Sequence, residues 1–201
     1  MTTKLISHSK LKELITKRNK AFEGKTDAEK RVLVAKDVLA QIKQNKFHPS
    51  TGSYLGFSNL NSDTTNLREA FLTGNILESG TNAAECSCCA LGAMMMSCTL
   101  FNNNIDLEKD KLQIFKMGEA IRGGSVFGNG LTTIFSEKQL AMIEIAFERG
   151  GGSFAYFNAP EVTYSMHLKC RDFGCRFDNP KSRLRAIMNN IVKNKGEFIP
   201  E

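Results

Sequence analysis

The stretch Cys86–Phe101 is apolar on every side, and this feature most constrains how the chain of 201 residues can fold. Small and sulfur-containing side chains fill it, so no polar stripe is left to face water. Asn82 and Glu85 precede it with the spacing of a capping box, which predicts a helix from here to about Phe101. Because a helix that is apolar all round packs against neighbours on several faces, we expect it to be the buried centre of the fold.

Other helices are predicted around this centre from their starting signals. Thr26–Glu29 and Ser136–Gln139 have capping-box spacing, and Asp178–Pro180 combines a cap with proline in the first turn. Apolar residues then recur at helical spacing, most clearly in Leu184–Val192. Further helices are expected near residues 7–23, 66–72 and 106–121. The sequence thus predicts a mainly α fold, with several helices around one buried helix.

Two β elements are expected in addition, and the first is a short strand at Tyr54–Phe57. Residues 153–168 are rich in aromatic and β-branched side chains, and Asn158-Ala159-Pro160 divides them into two strands of a small β-hairpin. No linker suggests two domains, so we interpret residues 1–201 as a single helical domain with a small β-hairpin, and expect residues 1–6 to be mobile.

The charge is uneven. Lys and Arg number 27 and Asp and Glu 21, for a net charge of +6. Residues 1–46 carry a net +7, residues 47–130 a net −3 and residues 165–195 a net +6. If the two basic segments meet on one face, that face attracts phosphates or an acidic partner; solvated lysines on amphipathic helices are the alternative.

The six cysteines are predicted to be free thiols. Three of them lie within Cys86–Cys89, where disulfide geometry is hard to reach, and the polar start Met1–Lys10 does not match a signal peptide. These features indicate a reducing cytoplasm. The longest weakly polar stretch, Cys88–Phe101, is shorter than the roughly 20 residues that a membrane-spanning helix needs, so we expect no membrane association.

Four phrases of the sequence carry a resemblance. They are Val34–Leu39, Cys86–Ala93, Phe135–Glu148 and Arg183–Phe198. Together they resemble a group of uncharacterised proteins encoded by tailed bacteriophages. The resemblance implies a viral accessory protein in the host bacterial cytoplasm, and it implies no activity and no catalytic residues.

Cys86 is the candidate nucleophile. In the first turn of the predicted helix its thiol would feel the helix dipole, which lowers the pKa of reactive cysteines. Cys86 and Cys89 also have the C-x-x-C spacing of redox dithiols. No proline stands between them, and no strand is predicted directly before the helix. Packing of small thiols in the core is the alternative interpretation.

His167, Cys170 and Cys175 are candidate zinc ligands, because zinc takes four nitrogen or sulfur donors around one point. One of the earlier cysteines would have to be the fourth ligand. The alternative is partly buried thiols beside a surface histidine, with no cofactor.

A basic cluster around the start of the last predicted helix is the candidate phosphate-binding site, since free N–H groups at a helix start favour anions. Tyr156, Phe157 and Tyr164 would add stacking surface. The six basic residues are Lys169, Arg171, Arg176, Lys181, Arg183 and Arg185.

Two further patterns receive structural interpretations. The glycines between Arg122 and Gly130 lack a phosphate-loop pattern and are interpreted as turns. Glu144 and Glu148 share a helix face and are interpreted as solvated, with acid–base or metal chemistry as the alternative. No catalytic set emerges, so we expect a non-enzymatic protein that binds a host macromolecule or sequesters a ligand. A nucleic-acid or nucleotide binder and a cysteine- or zinc-dependent enzyme are the alternatives.

Overall fold

The structure is a computed structural model, and it describes residues 20–45, 47–52, 55–57, 86–101, 131–151 and 161–201. Five helices account for most of them, in the order α1 (Asp27–Lys43), α2 (Ala90–Phe101), α3 (Glu137–Phe147), α4 (Tyr164–Cys175) and α5 (Pro180–Lys193). Three short strands are β1 (Phe47–Pro49), β2 (Leu55–Phe57) and β3 (Cys86–Cys88). The prediction of a mainly helical fold with a small β element is confirmed.

Three helices start where their capping signals predicted. Thr26 accepts a hydrogen bond from the Glu29 N–H, and the Glu29 carboxylate accepts one at 2.8 Å from the Thr26 N–H. Ser136 caps α3 by accepting from the Gln139 N–H at 3.2 Å. Asn179 caps α5 in the same way from the Ser182 N–H at 2.8 Å. Local side-chain chemistry therefore sets the start of α1, α3 and α5.

The buried central helix is α2, but it starts later than the sequence predicted. Every residue from Ala90 to Cys98 is buried, as expected of a helix without a polar face. The prediction that Cys86 lies in the first helical turn is wrong, because Cys86–Cys88 forms β3. Strands β1 and β2 supply hydrogen-bond partners for the main chain of β3 on both of its sides. The sequence next to β3 does not indicate this pairing.

Strand β3 is the middle strand of a sheet with the order β1-β3-β2. It pairs in parallel with β1, with Phe47 opposite Cys86, and antiparallel with β2, with Leu55 opposite Cys88. The Ser50 N–H extends the pairing by donating to the Cys88 carbonyl at 2.9 Å. The β element is thus a mixed sheet formed by residues far apart in the chain.

The predicted hairpin over residues 153–168 is wrong in its second half. Residues from Tyr164 onward belong to α4, and Thr163 caps this helix by accepting from the Met166 N–H at 3.3 Å. Residues 152–160 lie outside the described residues. The same is true of the helices predicted near 7–19, 66–72 and 106–121, of the cap predicted at Asn82–Glu85, of the turns predicted between Arg122 and Gly130, and of the prediction that residues 1–6 are mobile.

Two helix pairs frame the described core. Helices α3 and α4 meet closely at Gly174, where a Cβ would lie 1.8 Å from the Ala146 carbonyl oxygen. Helices α1 and α5 run antiparallel: the Lys181 ammonium donates to Asn45 at one end, and Gly196 packs on Ala28 at the other. Glycine is required at both close contacts because a side chain would strike backbone atoms.

The segment after α5 is bound to three helices. Arg31 of α1 donates to the Gly196 carbonyl and forms an ion pair with Glu197. The Gln139 side chain bonds both backbone groups of Phe198, whose ring is buried edge-on against Phe173. Asn190 does the same for Ile199. Gly196 and Phe198 are therefore buried parts of the core although they are not helical, whereas Ile199 is 46% exposed.

Candidate functional site

The predicted basic cluster is spread over separate environments. Lys169, Arg171, Arg176 and Arg185 are exposed on α4, on α5 and just after α4. Arg171 forms an ion pair with Asp172 at 3.1 Å, and Arg176 lies over the Phe173 ring at 5.8 Å. Tyr164, at the start of α4, is 78% exposed. We use the name α4–α5 surface for the four exposed basic residues, which lie on two helices and just after α4.

Arg183 is not part of that surface, because it is only 2% exposed. It donates to the carbonyls of Phe147 and Phe177, and thereby connects the end of α3 to the loop before α5. Burial and the nearby Arg149 lower the pKa of its guanidinium. The sequence pattern missed this because an arginine in a basic run is normally solvated. Arg183 is a structural connection.

The three predicted zinc ligands do not face a common point. All of them lie on α4, where Cys170 is buried and Cys175 is exposed. His167 packs near Gly150, at the end of α3. Within the described ranges no group of three His, Cys, Asp or Glu side chains is arranged to hold a metal ion.

The described thiols are mostly core residues. Cys88, Cys89, Cys98 and Cys170 are buried, and Cys175 is exposed. Burial raises the pKa of Cys98 and of Cys170 to about 12, so both are protonated at neutral pH. The structure describes only the backbone of Cys86, which lies in a strand and so lacks the helix dipole that was expected to activate it.

One cluster at the end of β3 differs from the rest of the core. Cys89 joins β3 to α2, and burial raises the pKa of its thiol although the Gly92 and Leu91 N–H groups favour the thiolate. Glu148, close enough to disfavour that thiolate further, accepts a hydrogen bond from the Gly52 N–H at 3.2 Å. Ligands of α/β sheets bind at the carboxyl ends of parallel strands, and β1 and β3 end here.

The carboxylates of this strand-end cluster are not on a solvated helix face, so that interpretation was wrong. Glu144 is 3% exposed and Glu148 is half-buried. Burial and the charge of Glu144 raise the pKa of Glu148, while the Gly52 N–H and Arg183 oppose the rise. Glu144 is buried with the rest of α3 from Leu140 to Phe147, and Glu148 caps the end of this helix.

A concave groove lies between α1 and the end of α5. Its volume is about 480 Å³, within the range of ligand pockets, and it is open along one side. Aliphatic side chains form its floor and lysines stand at its edges. We call it the α1–α5 groove, and its lining residues are Lys25, Ala28, Glu29, Val32, Leu33, Lys36, Val192 and Lys195.

The charge of the groove is positive. Lys25, Lys36 and Lys195 line it, and Glu29 is the single acidic residue among the described lining residues. The Glu29 carboxylate is already bonded to the N–H and hydroxyl of Thr26, which lower its pKa. Three ammonium groups therefore surround an aliphatic floor, an arrangement that favours an anionic, amphipathic ligand.

Lys195 adopts a left-handed backbone conformation, with φ of 52°. A left-handed backbone raises the conformational energy of residues that have a Cβ atom, and glycine is therefore the usual residue at this position after a helix. A lysine that lines the groove thus occupies a site where glycine would be more stable. Asn45 and Arg149, which also follow helices, share this conformation, with φ of 54° and 57°.

Sequence reasoning missed the groove, although one signal was present. The stripe Ala35–Val38–Ile42 was recognised as the core face of α1. Val32 lies at the edge of this face and Leu33 beyond it, and both side chains are only half-buried. Their partner across the groove is Val192, and only the packing of α1 on α5 brings them together.

No family model, curated protein or solved structure matches this chain. Across the described residues, no helix combines the length and the apolar character needed to cross a bilayer.

Proposed function

We propose that this chain is a non-enzymatic binding protein, a bacteriophage accessory product that contacts a host macromolecule in the bacterial cytoplasm through the α1–α5 groove. The observation that carries the proposal is the open aliphatic floor of this groove, which the described core leaves uncovered. The phage setting is supported by the resemblance of four sequence phrases. The buried, protonated thiols favour binding over thiol catalysis.

The test is affinity capture from bacterial lysate with three tagged proteins. These are the wild type, the groove variant Val32→Gln/Leu33→Gln and the control Lys43→Gln, which changes an exposed residue of α1 outside the groove. Each lysate is divided, and one half is treated with nuclease. Thermal unfolding followed by circular dichroism establishes that all three proteins are folded.

We expect a stoichiometric protein partner that the wild type and Lys43→Gln retain in both halves and that the groove variant loses. A partner retained equally by the folded groove variant would contradict a groove-based function. A partner that is captured from the untreated lysate but not from the nuclease-treated lysate would instead favour nucleic-acid binding by the α4–α5 surface.

A cysteine-dependent enzyme is the second candidate, and one observation favours it. Cys89 stands between a parallel strand and the start of α2, beside the perturbed carboxyl of Glu148. Rapid alkylation of Cys89 in the folded protein would support this candidate, and a slow reaction would oppose it.

A further inference from the structure

We infer that the α1–α5 groove binds an acidic amphipathic helix presented by a partner protein. The inference rests on the proposed function and specifies the chemistry of the partner. Its basis is the combination of an open aliphatic floor with three lysines at the edges and one internally bonded carboxylate.

The shape of the groove fits a short helix. The α1 part of its floor extends from Ala28 to Lys36, which corresponds to roughly 12 Å or about two helical turns. Helix-in-groove recognition uses apolar anchors at helical spacing, and Val32, Leu33 and Val192 offer an aliphatic surface for two or three such anchors. Because the groove is open along one side, the polar face of a bound helix remains in water.

The lysines of the groove determine which charge the polar face of a bound partner helix should carry. Lys25 and Lys36 stand at opposite ends of the α1 wall, and Lys195 lies across from them after α5. Glu29 reduces the local charge, but its carboxylate is held by Thr26. Acidic side chains that flank the apolar anchors of a partner helix would meet ammonium groups at both ends of the groove.

Three other occupants fit the groove less well. Residues 1–19 of this chain carry five basic side chains and one acidic side chain, so their charge matches that of the groove instead of complementing it. Single-stranded nucleic acid binds by base stacking on aromatic side chains, and the described lining residues include no aromatic ring. A fatty acid or other amphiphile needs an enclosed cavity for its tail, and this groove is open.

The experiment uses fluorescein-labelled peptides of about 16 residues, long enough to populate a helix. One peptide has leucines at i, i+3, i+4 and i+7 with glutamates on its other face. A second has lysines in place of the glutamates, and a third is a scrambled form of the first. Fluorescence anisotropy measures their affinity for the full chain, and unlabelled DNA duplex and laurate are used as competitors.

We expect the acidic peptide to bind at least about tenfold more tightly than the basic and scrambled peptides, and less tightly as salt is raised. The charge-reversal variant Lys25→Glu/Lys36→Glu/Lys195→Glu should bind the basic peptide more tightly than the acidic one. The control Lys43→Glu/Lys169→Glu/Arg185→Glu changes the net charge equally outside the groove and should keep the preference of the wild type.

The inference would be overturned if the wild type bound the acidic and basic peptides equally. It would also be overturned if the peptide preference were reversed in the control and not in the charge-reversal variant. Displacement of the acidic peptide by DNA or laurate at lower concentrations than by unlabelled peptide would overturn it in favour of those ligands. If Val32→Gln/Leu33→Gln still abolishes capture of the host partner while the acidic peptide shows no preference, the proposed function stands and the acidic helix is rejected.

Discussion

Gly174 of α4 lies so close to Ala146 of α3 that a Cβ atom would stand 1.8 Å from the Ala146 carbonyl oxygen. Backbone atoms cannot move aside as a flexible side chain does, so the two helices must separate to admit a methyl group. We expect Gly174→Ala to lower the free energy of unfolding by about 3 kcal/mol. Urea denaturation followed by circular dichroism measures this.

The matched control is Gly151→Ala. A Cβ at Gly151 would lie 3.7 Å from the Glu148 carbonyl oxygen, an ordinary van der Waals distance. A similar loss of stability in both variants would show that the contact between α3 and α4 is not the cause.

The capping box of α1 makes part of the stability dependent on pH. The N–H and hydroxyl of Thr26 lower the pKa of Glu29 below its ordinary value of 4.5. This contribution is present above pH 4.5 and is lost as the pH falls through the lowered pKa. We expect Glu29→Gln to destabilise the protein at pH 7 and to have no effect well below that pKa, as measured by urea midpoints.

Ser136→Ala is the comparison for Glu29→Gln. It removes the cap of α3, where Gln139 carries no charge, so its cost of about 1 kcal/mol should be equal at both pH values. A pH-independent cost for Glu29→Gln as well would contradict the role of the Glu29 charge.

The half-buried Glu148 has the opposite pH dependence. Burial and Glu144 raise its pKa above the ordinary value of 4.5, so the folded protein holds this proton more tightly than the unfolded chain. The free energy of unfolding therefore decreases as the pH rises from about 4.5 to the raised pKa. Glu148→Gln should remove this decrease, so its stability relative to wild type improves from pH 4 to pH 7.

Glu161→Gln, at an exposed position, serves as the control for Glu148→Gln and should leave the pH profile of stability unchanged. Chemical unfolding at half-unit pH steps gives the comparison. A Glu148→Gln profile parallel to that of the wild type would rule out this carboxyl as the source.

Thiol reactivity should follow burial. At pH 7 we expect iodoacetamide to label the exposed Cys175 within minutes and to label Cys98 and Cys170 only after unfolding, because their pKa values of about 12 leave little thiolate. Peptide mapping by mass spectrometry assigns each label. The same map tests Cys89: fast labelling there would reject its assignment to the core.

Lys195 should show opposite effects on stability and on binding. Replacing it with glycine relieves a left-handed conformation, so we expect the free energy of unfolding of Lys195→Gly to rise by about 1 kcal/mol. The same variant should bind the acidic peptide more weakly, because one ammonium group of the groove is lost. Urea denaturation and anisotropy measure the two effects.

Asn45→Gly provides the contrast. Asn45 is also left-handed, with φ of 54°, but asparagine tolerates this conformation and its side chain accepts a bond from Lys181. The variant should gain less stability than Lys195→Gly and should leave peptide affinity unchanged. A Lys195→Gly variant that keeps full affinity would mean that the lysine does not serve the groove.

The sequence predicted those parts of the fold that depend on local signals. The caps at Thr26, Ser136 and Asn179 identified α1, α3 and α5, and the apolar run identified the burial of α2. Strand β3 was missed because its partners β1 and β2 lie far away in the chain. Helix α4 was mistaken for a strand because Val162 and Tyr164 favour strands, whereas the cap at Thr163 decides the local structure.

The candidate site was much less predictable. Arg183 and Glu144 were expected in solvent because charged residues usually lie there, yet both are enclosed where α3 and α5 pack together. Lys195 and Val32 carried no motif, and they gain their significance only when the ends of two antiparallel helices meet. Sites of this kind are tertiary, so periodicity in one segment cannot reveal them.

Arg31 donates to the Ile134 carbonyl before α3 and also bonds two groups that lie 165 and 166 residues further along the chain, after the last helix. A deletion series that stopped at Lys193 would therefore keep every described helix and still remove the ring of Phe198 from the interior.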